Sequence, residues 1–179
     1  SASNGGVSVD ANGLVTYVPV ADFNGDDSFT VQVSDSELTD TISVAVTVNP
    51  VNDVPVITEG DSVTLTVDED VEGTVTFNAT DVDGDTLTWS ITTAATSGIV
   101  TQTGSQFSYS PSVNYSGTDT FSVQVSDGTA TGTSTVSVTV VAVNDAPVVT
   151  SAPVTSANEY QVYAYDVTAS DAENDAITY

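Results

Sequence analysis

Asp81-Val82-Asp83-Gly84-Asp85 sets three carboxylates on alternate residues of one short turn. Carboxylates held close without basic partners repel one another, rise in pKa, or hold a cation. The chain has no Lys, Arg or His to serve as a partner, and its 25 acidic residues give a net charge of −25. Hard divalent cations, Ca2+ above all, take oxygen ligands in flexible acidic settings of this kind. Two more acidic segments bracket the turn, Val51-Asn52-Asp53-Val54-Pro55 and Val125-Ser126-Asp127-Gly128. The expectation is calcium where these three segments meet, at a junction between β-domains. The turn alone leaves a second reading open, a solvated hairpin whose Asp residues only form the turn. An EF-hand is excluded, because position 12 of that loop would be Thr92, where a bidentate Glu is required.

The absences exclude whole classes of function. Without Cys there is no disulfide framework, thiol nucleophile or thiolate zinc site. Without His and Lys the commonest general bases and Schiff-base chemistry are missing, and no enzyme is expected. Nucleic-acid phosphates need Lys and Arg, so nucleic acid is not an expected partner. No apolar run is long enough to span a bilayer, so direct membrane insertion is not expected either. An acidic chain rich in Val and Thr fits an extracellular protein in a calcium-rich medium.

The elements that must position these carboxylates come from an internal repeat. Pro19-Val20-Ala21-Asp22-Phe23-Asn24-Gly25 through Phe29-Thr30-Val31-Gln32-Val33-Ser34-Asp35 recurs, offset by 92 residues, as Pro111-Ser112-Val113-Asn114-Tyr115-Ser116-Gly117 through Phe121-Ser122-Val123-Gln124-Val125-Ser126-Asp127. Asn52-Asp53-Val54-Pro55 returns as Asn144-Asp145-Ala146-Pro147, and Asp81-Val82-Asp83-Gly84-Asp85 returns, offset by 90, as Asp171-Ala172-Glu173-Asn174-Asp175. With that offset Glu69 falls on Glu159 and Trp89 on Tyr179. The units expected are 1–52, the back part of one repeat; 53–144, a complete repeat; and 145–179, the front part of the next. The end parts together make one sandwich, to be completed by the continuing chain or by a neighbouring subunit.

Inside the complete repeat the apolar residues alternate with polar ones, as in half-buried strands. Val63, Leu65 and Val67 begin the pattern, followed by Val75, Phe77 and Ala79, then Leu87, Trp89 and Ile91. Phe107 and Tyr109, Phe121 to Val125, and Val136 to Val140 continue it. With a short strand near Ile99 this predicts about seven strands and an all-β fold, a tandem array of Greek-key β-sandwiches of immunoglobulin-like shape. Asp26 and Asp27 are expected to cap a turn, and Tyr160, Tyr163 and Tyr165 to be ordinary strand residues rather than a sugar-stacking platform.

Phe121-x-Val-x-Val-Ser-Asp-Gly, the strand ending Val136-x-Val-x-Val, and Asn144-Asp145-Ala146-Pro147 resemble the end of a cadherin repeat and its linker. Ala79-Thr80-Asp81-Val82-Asp83 resembles the cadherin Ala-x-Asp-x-Asp motif, and Gly117-x-Asp119-x-Phe121 is similar to bacterial cadherin-like tandem repeats of large secreted adhesins. The resemblance covers essentially the whole chain. It implies calcium between consecutive repeats, held at the first junction by Asn52, Asp53, Asp81, Asp83 and Asp127. At the second it implies Glu69, Asn144, Asp145, Asp171 and Glu173, with Asp35 marking the position that completes such a site and Glu159 the counterpart of Glu69. The linker is one residue shorter than the vertebrate pattern and the Asp-Arg-Glu motif is absent, which implies one or two ions per junction rather than three. The function implied is that of a calcium-stiffened extender of a secreted bacterial adhesin or surface filament, in cell adhesion or biofilm matrix. Its partners would be neighbouring repeats or identical subunits. The alternative is a carbohydrate-binding module of a secreted polysaccharide-active enzyme, with glycans as partners.

Overall fold

The computed structural model describes residues 1–179. Its regular elements are all β-strands, and no helix is long and apolar enough to cross a membrane. The chain divides into two compact units, one comprising Ser1–Val54 and Asp81–Asp85, the other Pro55–Thr80 and Thr86–Tyr179.

The first unit holds two antiparallel hairpins. β1 (Gly5–Val9) pairs with β2 (Val15–Pro19), and β3 (Gly25–Ser34) pairs with β4 (Thr39–Val48) over its whole length. The β1–β2 turn is fixed by Asp10, whose Oδ1 accepts from the amides of Asn12 and Leu14 at 2.8 Å each.

The second unit contains β5 (Val56–Ile57), β6 (Ser62–Asp68), β7 (Gly73–Thr76), β8 (Ala79–Thr80), β9 (Thr88–Thr93), β10 (Gly98–Thr103), β11 (Gln106–Pro111), β12 (Gly117–Ser126) and β13 (Thr131–Val141). β14 (Val148–Val149) and β15 (Ala169–Ser170) pair as β5 and β8 do. One sheet has the order β6-β13-β12-β9 and the other β10-β11-β7. Their inner faces meet in a core of Phe77, Phe107, Tyr109, Phe121, Val123, Val125, Val136 and Val138, each at most 1 % exposed. Each such side chain contributes roughly 1.5–3 kcal/mol on burial. Tyr109 stacks on Phe121 at 6.4 Å, and Phe77 meets Trp89 and Phe107 at 5.7 and 5.8 Å. The seven longer strands carry the alternation read from the sequence. Phe77 lies past the end of β7, its amide bonded to the carbonyl of Ser105, so the expected run through Ala79 is broken into two strands.

Two expectations are corrected. Asp26 and Asp27 do not cap a turn; both lie within β3. Asp27 is 8 % exposed and accepts from the amides of Ser3, Asn4 and Ser28 and from the Tyr17 hydroxyl. Its counterpart Asp119, 5 % exposed, accepts from the amides of Thr96, Ser97 and Thr120, the Thr96 hydroxyl and the Tyr109 hydroxyl. Burial alone would raise the pKa of each carboxyl, but the backbone donors outweigh it and hold both below the usual range. Each is thus a hydrogen-bonded tie across strands. The second correction concerns Tyr160, Tyr163 and Tyr165, which are not in strands. Their counterparts lie at and just before β7, which is held by pairing with β11; no such pairing holds 160–165.

Candidate metal centre

The Asp81–Asp85 turn follows β8 and is closed on itself. Oδ1 of Asp81 accepts from the amides of Asp83 and Asp85 at 3.0 and 3.2 Å, and Gly84 takes the positive φ of 77° that the turn needs. Asp83 reaches the linker, where its Oδ2 accepts from the Asp53 amide at 2.8 Å. Asn52 Nδ2 donates to the Asp53 carbonyl at 2.8 Å. The structure therefore brings together Asn52, Asp53, Asp81 and Asp83, all in the first unit. Asp81, Asp83 and Asp85 each offer a carboxylate oxygen within 4.8 Å of the others. Burial, then the charges of Asp22, Asp83 and Asp81, push Asp53 above the usual carboxylate range.

The same arrangement recurs in the second unit. Oδ1 of Asp171 accepts from the amides of Glu173 and Asp175 at 3.1 and 3.0 Å, Oε2 of Glu173 accepts from the Asp145 amide at 2.9 Å, and Asn144 Nδ2 donates to the Asp145 carbonyl at 2.8 Å. Glu69, 5 % exposed, adds Oε1, which accepts from the Val143 amide at 2.6 Å. Burial, then Glu173, Asp70, Glu69 and Asp171, push Asp145 upward. Glu69, Asn144, Asp145, Asp171 and Glu173 thus meet in one neighbourhood.

Three further candidates are Asp127, Asp35 and Glu159. Asp127, in the second unit, closes the β12–β13 turn, its Oδ1 accepting from Thr129 and Ala130 at 2.6 Å each. Asp35 closes the β3–β4 turn in the same manner with Glu37 and Leu38 at 3.0 and 2.7 Å. Glu159 is exposed in the segment without strands.

The sequence reading missed Asp22, Asp70 and Asn114. Asp22 and Asn114 are repeat equivalents, both with positive φ, at 61° and 54°. Asp22 acts on Asp53 electrostatically, and Asn114 lines a cleft with Asp145 and Asp171 while its amide donates to Asp70 at 3.1 Å. The 92-residue offset was the signal that could have found the pair.

One atom tests whether these residues suit a cation. Asp81 Oδ2 is fully enclosed and has no hydrogen-bond partner. A buried anionic oxygen left in that state is costly, and buried polar atoms are otherwise nearly always paired. An all-oxygen donor set with an unmatched enclosed carboxylate oxygen fits a hard cation of the calcium type.

Residues 1–47 and 52–140 match the family model of the bacterial Ig domain. The chain belongs to that family. Among solved structures, this bacterial Ig chain is similar to the extracellular cadherin domains 1–4 of protocadherin gamma B7, with a TM-score of 0.53 and 16% identity over 96% of this chain and 49% of that one. It is also similar to the protocadherin gammaB7 EC3-6 cis-dimer, with a TM-score of 0.50 and 15% identity over 96% of this chain and 51% of that one. An endo-fucoidan hydrolase from glycoside hydrolase family 107 matches at 23% identity over 79% of this chain and 22% of that one, with a TM-score of 0.43. The chain therefore spans about half or less of these proteins, and at such identities the likeness to the protocadherins is one of fold. No curated protein matches.

Proposed function

We propose that this bacterial Ig chain is a calcium-stiffened spacer from a tandem array, in a secreted or surface-attached adhesin or filament, with repeats bounded at 53–144. The observation that carries the reading is the duplicated linker-to-turn bond, Asp53 to Asp83 and Asp145 to Glu173, beside carboxylates without any basic partner. Asp53, Asp81 and Asp83, with Asp22 and Asn52 beside them, would hold one ion. Asp145, Asp171, Glu173 and Glu69, with Asn114 and Asp70 beside them, would hold another. Held by these residues, an ion would supply charge neutralisation and tie the linker to the turn, which would remove freedom where one repeat leads into the next. In arrays whose units touch only their neighbours, stiffness resides at those junctions. The role is mechanical, with no catalysis.

The test is a calcium titration followed by small-angle scattering and thermal unfolding. The expected result is a rise in melting temperature through binding linkage, together with a narrower spread of molecular dimensions, at affinities of about 10⁻⁴–10⁻³ M. Unchanged melting and dimensions between saturating calcium and chelator would overturn the reading. Glycan-array binding without any calcium effect on dimensions would favour the carbohydrate-binding module instead.

A further inference from the structure

The two large sheets of the second unit have four outer strands, β6 and β9 in one sheet and β7 and β10 in the other. An outer strand presents unpaired amides and carbonyls, which natural sheets guard with charge, proline, bulges or shortness. Three of the four are guarded. β6 ends in Asp68 and is flanked by Asp61 and Glu69, and β7 has only 4 residues and follows Asp70 and Glu72. The register of β9 against β12 shifts between Ser122 and Val123, and Gln102 Nε2 occupies the Trp89 carbonyl at 2.8 Å.

β10 has none of these devices. Gly98-Ile99-Val100-Thr101-Gln102-Thr103 contains no proline and no charge, and its register with β11 is unbroken over all 6 residues. It lies within residues 86–118, which carry no charge in a chain with 25 acidic residues. Ile99 is 70 % exposed. The Ser112 amide donates to the Ser97 carbonyl, which fixes the phase of the β10–β11 ladder. Ile99, Thr101 and Thr103 therefore bond β11, while Gly98, Val100 and Gln102 turn their amides and carbonyls to the open side. By the same register the equivalent strand β1 carries Gly6 in place of Ile99, and Asp10 stands in place of Thr103. The unguarded edge is thus particular to the second unit.

We propose that the open edge of β10 pairs antiparallel with β10 of a second copy of this chain, about a two-fold axis at Val100. Val100 then lies opposite the same residue of the partner, Gly98 opposite Gln102, and Ile99 opposite Thr101. In this register all three outward residues of each copy exchange their amides and carbonyls, and β-branched side chains meet across the seam. Charge names the occupant. A basic partner is drawn to the acidic linkers and turns, and an acidic strand is repelled by the net charge of −25. An uncharged extended strand remains, and β10 of a second copy is one. The contact uses the same surface on both copies, so it closes at two. It ties one spacer to another, a role separate from that of the cation.

The experiment uses the 179-residue chain, which contains no cysteine. Light scattering should show mass rising with concentration from 18.3 kDa to twice that value and no further, in chelator as well as in calcium. Added salt should favour the pair by screening repulsion between two acidic copies. The single variants Ile99→Cys and Thr101→Cys, mixed and oxidised, should give a covalent dimer of unlike chains, identified by mass spectrometry. Either variant alone should give much less, because like positions lie diagonally, about 7–8 Å apart. Thr101→Asp, at a position exposed in the single chain, should weaken association about tenfold or more by placing an unpaired charge in the seam, with the urea midpoint of the dilute chain little changed. The mass of a single chain at all concentrations, growth beyond two copies, equal cross-linking by either variant alone, or undiminished association of Thr101→Asp would overturn the proposal.

Discussion

The amide of Asp53 donates to the carboxylate of Asp83 at 2.8 Å across 30 residues of sequence. Asp145 repeats the contact with Glu173 at 2.9 Å across 28. In both places a linker residue whose own carboxyl is pushed upward in pKa is held against a neighbour of like charge. That arrangement is unfavourable for the protein alone and favourable once a cation is shared, and it makes the metal reading testable.

Asp83→Asn keeps an oxygen for the Asp53 amide and removes one charge. With chelator present, melting should be unchanged or slightly raised, because repulsion at Asp53 is relieved. The rise in melting temperature on adding calcium should fall by on the order of half, since one of two sites is weakened. Differential scanning calorimetry with and without calcium measures both effects. An undiminished calcium response would remove Asp83 from the site.

The pH dependence has opposite signs at the two kinds of carboxylate. Asp53 and Asp145 have raised pKa values in the folded chain, so they favour folding as pH falls through those values and the groups become neutral. Asp119 and Asp27 have lowered values, so their contribution is present above the ordinary Asp value and is lost as pH falls through the folded one. In chelator, stability should therefore peak at mildly acidic pH, at or just above about 4. Saturating calcium keeps the site carboxylates ionised and should move the peak toward neutrality. Urea midpoints across pH, with and without calcium, check the shift; superimposable profiles would contradict it.

Asp119→Ala leaves the part-buried amides of Thr96 and Ser97 and the buried Tyr109 hydroxyl without their acceptor. An unsatisfied buried group costs about 1–3 kcal/mol, and the Tyr109 hydroxyl is the buried one, so the second unit should lose stability of about that size with little change in calcium affinity. Chemical denaturation paired with calcium titration separates the two. A large loss of affinity with intact stability would reverse the assignment.

Gly98 lies beneath the Tyr109 ring, where an added Cβ would come within 2.6 Å of ring carbons. Gly5 lies in the same way beneath Tyr17, at 2.3 Å. Gly98→Ala should cost about 1–3 kcal/mol by overpacking, measurable as a lower denaturant midpoint. Gly6→Ala, with nothing within 4 Å of the added Cβ, should cost much less.

Strand positions in the second unit were legible because alternation is a local property of the chain, and Phe121, Val123 and Val125 are buried as their phase requires. Asp119 shares that inward phase, so its burial was present in the pattern; a charge on an inward position was misread at Asp27 as turn chemistry. The acidic turn and linker were legible from their repetition. Asp22 and Asn114 were carried by the same repetition and went unread, whereas Asp70 was not legible, because a loop residue outside the repeat carries no periodicity. The absence of strands at 160–165 was equally hidden, since a strand depends on a partner that its own residues do not specify.

One strand pairing in the second unit runs against all the others. β6 and β13 are parallel, from Ser62 beside Thr135 to Asp68 beside Val141. β6 is the first and β13 the last strand of their sheet in the chain, so a pull on the segments before β6 and after β13 draws these strands along their axes in opposite directions. Their hydrogen bonds are then loaded together in shear instead of being opened one after another like a zipper. A tether built from such repeats would yield at a high force threshold, and a hairpin pulled from its open end would not.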